Sequence, residues 1–100
     1  MQQDLIQLRG EIQAGKRSSR SEMERAVSIA QSPACDHVFT RAMFDDALST
    51  ANTARPDQPL AGLAVSIKDL FDIGGQPTPA GSVVLSHAPS AAQDALAVAR

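Results

Sequence analysis

One hundred residues, a formal net charge of -2 at pH 7 and 43% apolar content allow at most one small domain with a modest core. There is no basic run, no Trp and no Tyr, so neither electrostatics nor base stacking provides for nucleic acid. No apolar stretch is long enough to span a membrane. The N-terminus Met-Gln-Gln-Asp-Leu-Ile lacks the charged and greasy regions of a secretory leader. A single cysteine, Cys35, forbids an internal disulfide and fits a reducing compartment, so the expected location is the cytoplasm.

The first half reads as helices. Leu5, Leu8 and Ile12 fall at helical spacing, with Asp4 near the start and Gly15 placed as a stop. Ser19-Arg-Ser-Glu22 offers a capping box, followed by a stripe of Met23, Ala26, Val27 and Ala30 that Gln31-Ser-Pro33 breaks. A third helix is expected over about Thr40 to Ala54, with Phe44, Ala47, Leu48 and Ala51 on its buried side. Arg9, Lys16, Arg17, Arg20 and Arg25 alternate with Asp4, Glu11, Glu22 and Glu24, which reads as a solvated, ion-paired helix surface rather than a ligand patch. Cys35 and His37 cannot make a zinc site by themselves, because such a site wants three or four ligands. No metal or cofactor is expected.

Arg55-Pro-Asp-Gln-Pro59 is a turn-rich connector. It leads into Leu63, Val65 and Ile67 alternating with Ala64, Ser66 and Lys68, the period-2 pattern of a strand with one apolar face. Beyond Lys68 the chain turns irregular: Gly74-Gly75 allow positive φ or a close approach, and Pro77 and Pro79 stiffen the loop. Neither phosphate-cradling glycine motif is present. From Ser90 to Arg100 the pattern suggests a helix without a C-terminal cap, as if cut inside an element.

By residue type, a lysine closing a strand is ordinarily a solvated charge. Three motifs change the reading. Pro59-Leu-Ala-Gly-Leu, Ser66-Ile-Lys-Asp69 and Pro77-Thr-Pro-Ala-Gly-Ser82 stand in that order and close together. This run resembles the start of the amidase signature family, in which a Pro-Leu-x-Gly turn precedes a strand ending in Lys-Asp and a loop with Thr-x-x-Gly-Ser. Pro79 departs from the threonine that many members carry. Pro89 to Arg100 is a weaker echo, similar to the next helix of that family.

The resemblance implies an α/β fold: a helical N-terminal segment over 1–58, then over 59–100 the first strand and helix of a mixed-sheet core, truncated. It also implies a Ser–cis-Ser–Lys triad that hydrolyses carboxamide C–N bonds. Lys68 maps onto the catalytic base, while both serines are expected farther along in a Gly/Ser-rich region, so these hundred residues alone are expected to be inactive. A lysine with an ordinary pKa of about 10.4 is protonated at neutral pH, and acting as a base requires burial away from a neutralising carboxylate. Small neighbours Ala64 and Ser66 suit such burial, and Asp69, on the opposite face of a continuing strand, would order the loop rather than pair with Lys68. Ser66 and Lys68 do not form a dyad of their own, since the Ser-x-x-Lys arrangement sets its pair one helical turn apart.

The implied partners are a small-molecule amide substrate and the remainder of the amidase chain, with a homo-oligomer left open. Family members include generic amidases, hydrolases of urea derivatives and the glutaminase subunit of tRNA-dependent amidotransferases. The alternative is a non-catalytic fragment or interaction module, whose exposed strand edges would seek a partner sheet.

Overall fold

The computed structural model describes residues 3–100; the first two residues of the N-terminal reading lie outside it. Helix α1 spans Leu5–Gln13, α2 Ser19–Ala30, α3 Phe44–Thr53 and α4 Leu96–Ala99, with short 3-10 turns at Pro33–Cys35 and Val84–His87. The chain divides into two compact units, Met1–Val65 and Ser66–Arg100.

In the first unit the helix ends follow local chemistry. The Asp4 carboxylate accepts from the Gln7 N–H at 2.8 Å and caps α1. At the other end Gly15 takes φ +75°. The Lys16 N–H reaches Glu11 O at 2.9 Å and the Gly15 N–H reaches Ile12 O at 3.1 Å, the paired bonds of a left-handed helix stop. Leu8 and Ile12 are buried, whereas Leu5 is exposed.

Helix α2 begins one residue before the expected position. Ser18, not Ser19, is the cap, accepting from the Ser21 N–H at 3.0 Å, while Ser21 Oγ donates back to Ser18 O at 3.0 Å. Glu22 therefore does not close a capping box. It is buried, and both Arg17 and Arg25 converge on it. The expected stripe of Met23, Ala26, Val27 and Ala30 is the half-buried side of the helix.

Helix α3 packs against α2, with Ala51 buried and Arg20 Nη1 donating to Leu48 O at 3.2 Å. It starts at Phe44 rather than about Thr40. The rings of Phe39 and Phe44 meet edge to face, with centroids 6.2 Å apart. The interleaved charges pair in part, Arg17 with Glu11 at 2.6 Å and with Glu22 at 3.2 Å, and Arg20 with Glu24 at 2.7 Å, but Glu22 is buried rather than solvated.

The expected α/β class is corrected. Among the described residues there is no strand and no sheet, and the regular structure is helical. Leu63–Lys68 has the alternation of a strand but no ladder. A strand exists only through hydrogen bonds to a neighbour, and the Leu63 N–H turns back onto Leu60 O at 3.1 Å. Val65 is 73% exposed, so the apolar set has no face to cover.

The helix expected over 90–100 is also corrected, to Leu96–Ala99. Its upstream donors are committed elsewhere: the Ala91 N–H to Gln76 O and the Ala95 N–H to Asp72 O, each at 2.9 Å. A donor bonded across the loop cannot also close the i to i-4 ladder of a longer helix.

Candidate functional site

The Pro59-Leu-Ala-Gly62 turn belongs to the first unit and docks through its glycine. Gly62 is buried at φ +79°, and a Cβ built on it would stand 2.5 Å from Ser19 Oγ and 3.0 Å from Ile12 Cδ1. Only a residue without a side chain allows both that backbone conformation and that approach.

Lys68 opens the next turn. Its carbonyl accepts from the Leu70 N–H at 2.7 Å and the Phe71 N–H at 3.2 Å. The lysine is exposed, and its ammonium forms no ion pair among the described residues. Ser66 is also exposed. Without a strand, Ser66 and Lys68 share no sheet face.

The Asp69 carboxylate is engaged by the loop. Its Oδ2 accepts from the Gly81 N–H at 3.1 Å, as expected of a carboxylate that orders the loop. Gly81 at φ +73° follows Ala80 at φ +49°, so two successive left-handed residues present that amide.

Two further aspartates hold the same segment, and residue spacing alone did not single them out for it. Thr78 Oγ1 donates to Asp72 Oδ1 at 2.7 Å, and the Gly74 N–H donates to Asp94 Oδ1 at 2.7 Å. Gly74 has backbone atoms of Gln93 and Asp94 within 3.4 Å of where a Cβ would sit, and Gly75 takes φ +83°. Gly75 thus serves one of the uses expected of the pair, positive φ, whereas the 3.4 Å neighbours of Gly74 are at ordinary contact distance and do not require a glycine.

Neither of two surface hollows of about 440 and 410 Å³ includes Lys68 in its lining; one opens beside Phe44 and Gln31, the other beside Ile12 and Ala51. Among the described residues, no group of three His, Cys, Asp or Glu side chains is placed to hold a metal ion. No helix there is long and apolar enough to cross a membrane.

No curated protein and no solved structure matches the chain. A protein-family model does. The amidase model matches residues 23–100, from the second turn of α2 through the Lys68 turn and the aspartate-held loop. With more than three quarters of its length under that match, the chain belongs to the amidase family.

Proposed function

We propose that the full-length protein hydrolyses the C–N bond of a small carboxamide and that Lys68 is the base of its Ser–cis-Ser–Lys triad. The observation that carries this reading is the family match across residues 23–100, which takes in the Lys-Asp turn and the Thr78-Pro-Ala-Gly-Ser82 loop together. The Asp69 carboxylate is bonded to the loop at Gly81, an arrangement that leaves the neighbouring amine without a direct carboxylate partner. The two serines come from protein that also covers Lys68 and excludes water, because a lysine must be desolvated to lose its proton near neutral pH.

In the reaction, neutral Lys68 accepts a proton from the bridging serine, which takes one from the nucleophilic serine as that oxygen attacks the carbonyl carbon. Backbone N–H groups stabilise the oxyanion. The C–N bond then breaks as the proton returns to the departing nitrogen, leaving an acyl-enzyme and free ammonia or amine. Water, deprotonated through the same relay, releases the carboxylic acid and restores the serine.

The test is release of ammonia or amine by the full-length protein from a panel of aliphatic, aromatic and urea-type amides. Lys68→Ala is expected to abolish turnover. Lys68→Arg is expected to do the same, since a guanidinium stays protonated at any working pH. Within residues 1–100 alone both variants should melt with the wild type, because the side chain is exposed there. Near wild-type turnover by either one removes Lys68 from the mechanism.

A further inference from the structure

We infer that Asp69 is a positioning residue for Lys68, acting through its hydrogen bond to the Gly81 amide; this deepens the triad reading above and depends on it. Three observations converge on the bond. The Lys68 carbonyl is the first acceptor of a tight turn, taking the Leu70 and Phe71 N–H groups, so the lysine's backbone direction is set by that turn. Asp69 is the next residue of the same turn, and its Oδ2 receives the Gly81 N–H at 3.1 Å across twelve residues of sequence. The donor is presented by two consecutive left-handed residues, Ala80 at φ +49° and Gly81 at φ +73°. Ala80 adopts that conformation at a cost for a residue bearing a Cβ.

The bond does two things at once. It pins the Lys68 turn to the 78–82 loop, which fixes where the lysine stem leaves the backbone. It also engages the carboxylate that follows Lys68 in the chain with a backbone donor. A freed Asp69 could swing to the ammonium and stabilise the protonated form, the wrong state for a base. Asp72 and Asp94, held by Thr78 Oγ1 and the Gly74 N–H, brace the same loop, but neither adjoins the lysine in the turn.

The experiment is steady-state kinetics and a pH–rate profile of the full-length amidase with Asp69→Ala, Asp69→Asn and Asp69→Glu, beside Lys68→Ala. Asn keeps an acceptor oxygen without charge, Ala removes both, and Glu keeps the charge but moves the acceptor outward by one methylene. The expected result is a fall in kcat of roughly tenfold or more for Ala and Glu, the order of loss that misplacing a catalytic group brings, with KM nearly unchanged. Asn should restore kcat to within about threefold of wild type, with the acidic limb of its profile moved to lower pH because a negative charge beside the lysine is gone. If Asp69→Ala does not fold, the contrast between Asn and Glu carries the test alone. Equal losses in Asn and Ala, or an undiminished kcat in Ala or Glu, overturn the role of the bond. An active Lys68→Ala instead overturns the triad reading, so the two failures are told apart.

Discussion

Arg25 Nε donates to Glu22 Oε1 at 2.9 Å, and Arg25 Nη2 reaches the same oxygen, closing a fork on a carboxylate that is 3% exposed. Arg17 Nη1 holds the other oxygen at 3.2 Å. The hydrogen bond from Arg25 is the chief reason that the Glu22 carboxyl sits below its ordinary pKa; desolvation opposes the shift, and the remaining attraction of Arg25 and Arg17 adds to it.

A carboxylate held low stabilises the folded form above its unfolded pKa of about 4.3 and loses that contribution as pH falls through its folded value. The first unit is therefore expected to lose stability below about pH 4. Glu22→Gln should flatten this acid dependence while lowering stability at pH 7 by about 2 kcal/mol, the scale of hydrogen bonds to charged groups. Urea melts at pH 7 and at low pH check both, and an unchanged acid dependence would remove Glu22 as its source.

Ser18 caps α2 and Ser19 does not. Ser18→Ala should cost about 1 kcal/mol of stability, visible as a lower urea midpoint. Ser19→Ala takes no acceptor from the helix N–H groups, so its effect should be smaller. The reverse order would move the cap to Ser19.

These neighbours show where sequence reasoning reaches its limit. Two adjacent serines both suit a cap, and Glu22 stands at the right distance to complete a box with Ser19. What decides is the convergence of Arg17 and Arg25 on Glu22, which spacing does not encode. The first three helices are legible, because the 3.6-residue repeat and the stop at Gly15 are local signals, whereas the helix expected over 90–100 shrinks to Leu96–Ala99. Leu63–Lys68 was misread for the opposite reason: its alternation is local, but a strand is defined by a neighbour. The hydrogen bond from Gly81 to Asp69 spans twelve residues; the loop-ordering role expected of Asp69 rests on a strand that sets it opposite Lys68, and the loop takes the carboxylate although that strand does not form.

Gly62→Ala should destabilise the first unit by about 1–3 kcal/mol, through the strain of a Cβ at positive φ and overpacking against Ser19. The two causes separate in a double mutant. Adding Ser19→Gly removes the Ser19 atoms at 2.5 and 3.0 Å and should recover part of the loss, leaving the backbone strain and the contact with Ile12 Cδ1. If the double mutant recovers nothing, the contact with Ser19 is not a source of the penalty.

No residue of 66–100 is fully buried, and Val83 and Val84 are each 88% exposed. Because the heat capacity of unfolding comes chiefly from apolar surface newly given to water, this half has little to contribute to a calorimetric transition. A scan of these hundred residues should report the melting of α1, α2 and α3, with a transition too small for the chain length. Amide exchange should divide in the same way, slow at Ile12 and Ala51 and fast along the loop that carries Lys68. Lys68 would then sit on the part of this chain that holds its own order least.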